Sequence, residues 1–323
     1  MEKISPHSLS MKNESSSVAP IGASAQSRTI AQTMTYMERL VIELSNPDLR
    51  ENALRVLSKR NELSQELAHL LWNSFGTIAI LLQEITSIYC TLLPPTLTLA
   101  QSTRVCNVLA LLQYLASHSE TRMLFLNASM PLYLYPFLKT KEKSPQFEYL
   151  RFASLGVIGA LVKVNTKEVL GYLILSEIIP LCLSNMEIGN EISKTTATFI
   201  FQKILFDDDG LAYVCATAER FFAVRRVLDM MSESLDKQPT CRLLKYIIPC
   251  YARLSNDRWA GIALANSLPS VFRDTIFLNR VREDPTTWEW VKHLQENVRK
   301  NQEPLVAGGG ENNDIVESST SGQ

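Results

Sequence analysis

Glycine is scarce in this chain, with 12 in 323 residues, and hairpin signals are few. There is no G-x-G-x-x-G and no strand–glycine–helix unit, which removes the dinucleotide-binding reading. No apolar run reaches the roughly 18 residues a membrane span needs. The nearest, Val169 to Leu183, is interrupted by Glu177 and Pro180. A net charge of −1 offers no bulk argument for nucleic acid or membrane. Cys90, Cys106, Cys182, Cys215, Cys241 and Cys250 form neither a C-x-x-C nor a Cys/His zinc spacing. Most sit in apolar helical text, as reduced thiols packed like small hydrophobes in a reducing compartment. The four histidines are far apart, and no Ser/His/Asp set can be drawn among them. His118 stands at a helix end, where a donor to the last carbonyls is favoured. Asp207-Asp208-Asp209-Gly210 lacks the alternating ligands and closing Glu of a calcium loop, and reads as a helix stop and the N-cap of the next helix. No catalytic, metal or cofactor site emerges.

What is present is a repeat. Val, Ile and Leu recur at spacings of three and four, as in Leu155, Ile158, Leu161 and Val162. That is helical periodicity, not strand alternation. A proline-led phrase returns at Met130-Pro131-Leu132, Ile179-Pro180-Leu181 and Leu268-Pro269-Ser270. From Pro131 to Pro180 is 49 positions and from Pro180 to Pro269 is 89, close to two periods. The missing copy falls near Phe221-Phe222-Ala223-Val224. Proline is tolerated in the first turn of a helix and damaging inside one, so each copy marks a helix start. A second marker agrees. Apolar helices end in polar clusters at Ser117-His118, Asn165, Asp207 and Ser255-Asn256. Within a unit the order is long helix, polar turn, helix, tight turn, helix. Periods in the forties belong to armadillo and HEAT arrays. The fold class is therefore all-α, an armadillo-like helical repeat solenoid of about six repeats. The first unit is less regular: a helix over Leu49–Lys59, a turn at Asn61-Glu62, and Leu63–Ile88 as the rest.

Residues 1–32 and 301–323 are expected to be disordered tails around a repeat domain at 33–300. They carry Ser15-Ser16-Ser17, Gly308-Gly309-Gly310 and Ser318-Ser319-Thr320 with little apolar periodicity. No apolar h-region of a secretory signal is present in the first tail. Thr91–Ala100, with Pro94-Pro95, and Thr140–Gln146, with Lys141-Glu142-Lys143, read as loops. Arg220, Arg225, Arg226, Arg242, Lys245, Arg253 and Arg258 fall within 39 positions. Side by side on one face they would make a phosphate-binding patch for RNA or DNA. Balanced by Glu219, Asp229, Glu233 and Asp236, they also read as a solvated helix face. A curved helical stack offers a long concave surface for extended or helical peptides. Mid-helix Gly156 and Gly159 leave room either for such a partner or for close packing between repeats.

Several stretches are specific enough to resemble a known family. They are Leu71-Trp72-Asn73-Ser74-Phe75-Gly76-Thr77-Ile78-Ala79, Arg104-Val105-Cys106-Asn107, Phe147-Glu148-Tyr149-Leu150-Arg151, Ser154 to Lys163, and Glu177-Ile178-Ile179-Pro180-Leu181-Cys182-Leu183. Over residues 35–295 the chain resembles the Rcd-one ("required for cell differentiation") family, armadillo-type subunits of the CCR–NOT deadenylase complex. Its departures are those of a divergent, plant-like member. The resemblance implies a non-catalytic adaptor in cytoplasm and nucleus, without cofactor or membrane contact. It would dock on the NOT scaffold and recruit short motifs of RNA-associated regulators, promoting mRNA deadenylation, decay and translational repression. Scaffold docking would use Asn73, Phe75 and Ala79, with Phe75 and Ala79 at i and i+4 on a helix beginning near Trp72. Asn73 replaces a histidine common in animal members. The peptide groove maps to Tyr149, Gly156 and Thr196, the last in place of valine. A pocket that takes tryptophans maps to Ala218, Arg220, Trp259 and Ala263. There Ala218 replaces a usual tyrosine and Trp259 a usual arginine. A nucleic-acid-binding armadillo protein using the arginine-rich face is the alternative, and homodimer formation stays open.

Overall fold

The computed structural model describes residues 21–60, 64–237 and 241–302. The tails before residue 21 and after residue 302 lie outside that range. So does the turn assigned to Asn61-Glu62. Helix α1 runs Ile21–Glu43 and so covers residues 21–32, which the sequence reading placed in the first tail. Every regular element among the described residues is helical. After α1 come α2 (Pro47–Leu57), α3 (Ser64–Asn73) and α4 (Thr77–Ser87). A three-part unit then recurs. The first is α5 (Leu99–Ser117), α6 (Ser119–Asn127), and a 3-10 turn at Met130–Leu134 running into α7 (Tyr135–Lys139). The second is α8 (Pro145–Val162), α9 (Lys167–Leu175) and α10 (Ile178–Ile188). The third is α11 (Glu191–Phe206), α12 (Asp208–Cys215) and α13 (Ala218–Lys237). The fourth is α14 (Cys241–Leu254), α15 (Arg258–Ser267), a 3-10 turn at Ser270–Arg273, and α16 (Thr275–Val281). Helix α17 (Pro285–Gln302) closes the array. The leading helices α2, α5, α8, α11, α14 and α17 pack in succession as one row of six.

Local chemistry sets these boundaries. The long helices stop at the polar clusters, and at three of the four junctions a side chain there caps the next helix. Asp207 Oδ1 accepts from Asp209 N at 3.0 Å, and Asp257 Oδ1 from Ala260 N at 2.9 Å. His118 acts the same way, its Nδ1 accepting from Glu120 N at 3.3 Å. It caps the start of α6 and does not donate to the last carbonyls of α5, a correction to the sequence reading. Pro131 lies in the first turn of its 3-10 segment, Pro180 is the third residue of α10, and Pro269 immediately precedes a 3-10 turn. The unit without proline begins at Ala218, just ahead of Phe221. The Val169–Leu183 run is broken between α9 and α10 at Glu177, in left-handed backbone with φ 61°. No single described helix is long and apolar enough to cross a membrane.

Stacking on both sides explains why these helices lack a single apolar stripe. In α8, 12 of 18 residues are buried. One is Arg151, wholly out of solvent, and a buried charge is tolerated only when paired. Arg151 pairs with Glu148, and its Nη2 donates to Thr140 O at 3.0 Å and Glu142 O at 2.9 Å. Glu148 Oε2 accepts from Asn190 N and Ser193 Oγ on the next unit. The charged loop at 140–144 is thus anchored from beneath.

A second buried carboxylate ties the first units together. Glu84 on α4 accepts from Arg50 Nη1 of α2 at 3.0 Å, and from Arg104 Nε and Nη2 of α5 at 2.6 and 2.8 Å. Burial pushes the Glu84 carboxyl upward, but the hydrogen bonds and charges of Arg104 and Arg50 outweigh it and hold it below its ordinary 4.5. A depressed carboxyl contributes stability that is present above its unfolded value and lost as pH falls through its folded value. Glu84→Gln should therefore lower stability at neutral pH by about 2 kcal/mol. The gap to the unsubstituted chain should narrow below about pH 4.5. Melting curves of both chains between pH 3 and pH 7 check this.

Candidate functional site

The α3–α4 turn divides the stretch Leu63–Ile88, which the sequence reading left as the rest of the first unit with a helix beginning near Trp72. Helix α3 ends at Asn73, whose Nδ2 donates back to His69 O at 2.9 Å. Gly76 then takes left-handed backbone, φ 75°, which a glycine adopts without steric cost, and α4 starts at Thr77. Phe75 stands in this turn with its side chain fully in solvent. Asn73 and Ala79 are exposed on either side of it. The expected i, i+4 face is corrected accordingly. Phe75 belongs to the turn and Ala79 to the first turn of α4, and the helix starts at Thr77, not near Trp72. A core role for Phe75 is excluded by its exposure.

The second region is the open side of the helix row. Tyr149 and Gly156, seven apart on α8, both reach it, with exposed Phe152 between them. Thr196 on α11 is half-buried, and its hydroxyl donates to Ile192 O at 2.9 Å. A Cβ on Gly156 would meet only the Gln113 side chain, with Oε1 at 3.2 Å. Gly159 differs. It is buried, and its Cβ would come within 3.9 Å of Thr196 Cγ2, so it serves the approach of α8 and α11. The row continues apolar through exposed Ile192 and an edge-on pair, Phe199 with Tyr246, at 5.6 Å between centroids. The Lys203 ammonium lies 5.9 Å over Phe199. Pro249 inside α14 has no N–H for Lys245 O, and Gln202 Nε2 of α11 donates to that carbonyl at 3.4 Å. Phe152, Ile192, Phe199 and Tyr246 were not singled out by sequence, where outward and inward apolar residues look alike.

The third region lies on α13 and α15. Arg220 stacks on Tyr213, 4.0 Å from guanidinium carbon to ring centroid, and donates to Tyr213 O at 3.3 Å. Ala218 is exposed at the start of α13, and half-buried Ala263 accepts from Arg225 Nη1 through its carbonyl at 3.4 Å. Trp259 packs edge-on against Phe221 and Phe222, at 5.0 and 5.9 Å. The indole thus leans on the aromatic wall of α13 and fills space beside it.

With these surfaces in place, comparison with known proteins becomes informative. Residues 40–298 match the model of the cell differentiation family, Rcd1-like. The chain belongs to this family. It is 52% identical over 258 residues to the cell differentiation protein rcd1 of Schizosaccharomyces pombe, covering 80% of this chain and 91% of that protein. It is 50% identical over 245 residues to Protein CAF40 of Saccharomyces cerevisiae, covering 76% of this chain and 66% of that one. Among solved structures, a designed armadillo repeat protein superposes with a TM-score of 0.57 at 14% identity, covering 81% of this chain and 99% of that one. A computationally designed armadillo repeat protein for modular peptide recognition superposes at 0.55 and 14%, with the same coverage. At such identity the likeness shows the fold alone, an all-α armadillo-type solenoid.

In this Rcd1-like chain the seven basic residues are spread over three helices. Arg225 bonds to Asp229 and to Ser267 at the end of α15. Arg253 reaches Asp208 at 2.5 Å, and Lys245 lies 3.4 Å from Asp284. Arg226 lies 2.6 Å from Glu187, an ion pair without hydrogen-bond alignment. Arg220 is held on Tyr213, while Arg242 and Arg258 are exposed. Among the described residues no cluster of His, Cys, Asp and Glu could hold a metal. Cys182 and Cys250 are buried, Cys106 and Cys215 half-buried, and Cys90 exposed, while the side chain of Cys241 lies outside the described residues. Burial pushes the Cys182 thiol up to about 12 and the Cys106 thiol to about 11, which disfavours the thiolate needed for nucleophilic chemistry.

The glycines of α8 and α12 separate groove from core. Gly156→Ala should raise stability by about 0.5 kcal/mol, since the exposed Gln113 side chain can yield and helix entropy improves. Gly210→Ala should lower it, because its Cβ would collide with Ile204 O. Thermal denaturation of the two variants checks the contrast.

Proposed function

We propose that the chain is a non-catalytic adaptor subunit of the CCR–NOT complex. It docks on the NOT scaffold through the α3–α4 turn and recruits partner peptides on the open face of α8 and α11, promoting mRNA deadenylation, decay and translational repression. The observation that carries the reading is Phe75. A phenylalanine held wholly in solvent by a glycine turn gives its own fold nothing, and a buried aromatic is what dominates an interface. Exposed Ala79 beside it leaves a flat landing surface. Family membership and the armadillo-type array support the same assignment, since such arrays present long surfaces to peptides. Tyr149, Phe152 and Gly156 supply an aromatic-lined open strip, with Thr196 as a polar neighbour where a purely apolar anchor would bind more tightly. A cytoplasmic and nuclear location goes with this role.

The nucleic-acid alternative is less favoured. Four of its basic residues already face carboxylates and Arg220 is stacked on Tyr213, leaving Arg242 and Arg258 as exposed cations. A phosphate-binding patch would show steep loss of RNA affinity with rising salt.

The scaffold assignment makes a prediction for surface variants. Phe75→Ala and Ala79→Tyr should both melt within about 1 °C of the unsubstituted chain, as exposed surface changes do. Phe75→Ala should weaken co-purification of the NOT scaffold at least tenfold, and Ala79→Tyr should block it by bulk. Gly156→Trp should retain the scaffold and lose partner peptides. Scaffold retention at the original level by both stable turn variants would end the docking assignment.

A further inference from the structure

Charge is unevenly spread over the far half of the open side. Along α11 and α14 the one carboxylate is Glu191, in the first turn of α11, against Lys194, Lys203, Arg242, Lys245 and Arg253. Two of these cations have partners on other helices. Arg253 reaches Asp208, and Lys245 lies 3.4 Å from Asp284. Lys194 lies five positions before Phe199, about 140° away around the helix. Lys203 and Arg242 remain, and among the described residues no carboxylate pairs with either. Helix α8 supplies none on this side, because Glu148 is buried against Arg151, while exposed Lys163 follows its last turn.

Lys203 and Arg242 flank the aromatic contact between the two helices. Phe199 and Tyr246 meet edge-on at 5.6 Å. Lys203 is one turn after Phe199, with its ammonium 5.9 Å from that ring's centroid. Arg242 is one turn before Tyr246 and exposed. Phe199 meets Tyr246, and further on Leu205 O accepts from Arg253 Nε at 3.2 Å, so α11 and α14 run in the same direction. The two cations therefore stand at opposite ends of the aromatic pair, about 12 Å apart along the groove at 1.5 Å per residue. A helix lying in a groove presents residues seven positions apart on one face at about 10.5 Å, with an apolar residue midway between them. Long basic side chains take up the small difference. Nucleic acid fits this strip less well. Phe199 is half-buried, with the Lys203 ammonium over it and the Tyr246 ring against it, so it offers no platform for the base stacking that single strands need.

We propose that the α11–α14 part of the open side takes an acidic helical peptide. Its apolar residue seats on Phe199 and Tyr246, and its carboxylates, seven positions apart, meet Lys203 and Arg242. The inference rests on the open face as a peptide-recruiting surface and adds the charge of the partner.

The test uses the full-length chain and three labelled, alanine-based helical peptides. Each carries a phenylalanine midway between two residues seven positions apart, which are glutamates in the first, glutamines in the second and lysines in the third. At low salt the glutamate peptide should bind about tenfold more tightly than the glutamine peptide, and the advantage should shrink at high salt. Lys203→Gln with Arg242→Gln should remove the advantage. Lys203→Glu with Arg242→Glu should make the lysine peptide the preferred one. Both double variants should melt within about 2 °C of the unsubstituted chain, as surface changes do. Equal affinity for the three peptides, or a glutamate preference that survives both double variants, would overturn the charge assignment and leave the recruiting face standing. So would oligouridylate bound through the two cations and not displaced by the glutamate peptide. Failure of all three peptides to bind would overturn the recruiting face as well.

Discussion

Everything in this molecule depends on the fact that no single unit can bury its own helices. The leading helix of a unit is apolar on several sides, as the 12 buried residues of α8 show, and only neighbours before and after can cover it. Hydrophobic burial is worth roughly 25 cal/mol per Å², so the row holds together as a chain of nearest-neighbour interfaces. The polar links obey the same logic. Glu148 and Arg151 join α8 to the loop before it and to the start of α11, while Glu84 joins α4 to α2 and α5. The Glu148 and Glu84 carboxylates each accept hydrogen bonds from a neighbouring unit, so these links act on register between units.

Covering both flanks of the row leaves the open side and the turns between helices as free surface. Exposed apolar residues stand on both. Tyr149 and Phe152 face outward from α8, and Phe75 projects from the turn before α4. These regions sit on different units, so occupation of one need not obstruct the other. The armadillo-type array places these outward side chains, and the proposed function rests on them.

Much of the architecture was legible in the sequence because two signals reinforce each other. His118 and Asp207 end their helices and begin the next through side-chain caps, and Asp257 does so directly after Ser255-Asn256, so composition and geometry coincide. The start of α13 could be placed without its proline because the period was known. The position of the α3–α4 turn was not legible. The helix start was placed near Trp72 and lies at Thr77, because the mark of the break is Gly76, whose left-handed backbone is invisible to periodicity. His118 was misread for a related reason, since a residue between two helices serves either end. Phe152 and Phe199 escaped notice because outward-facing and inward-facing apolar residues share one spacing. Gly156 and Gly159 looked equivalent, and only the neighbouring helices separate a residue facing Gln113 from one facing Thr196.

The central claim is that the exposed turn before α4, not the open face of α8 and α11, receives the NOT scaffold. Hydrogen exchange of the full-length chain, with and without a saturating scaffold fragment, tests it most directly. The account predicts slowed exchange confined to residues 73–80, with α8 and α11 unchanged. Slowing across residues 149–156 and 192–199, with the turn unaffected, would contradict it.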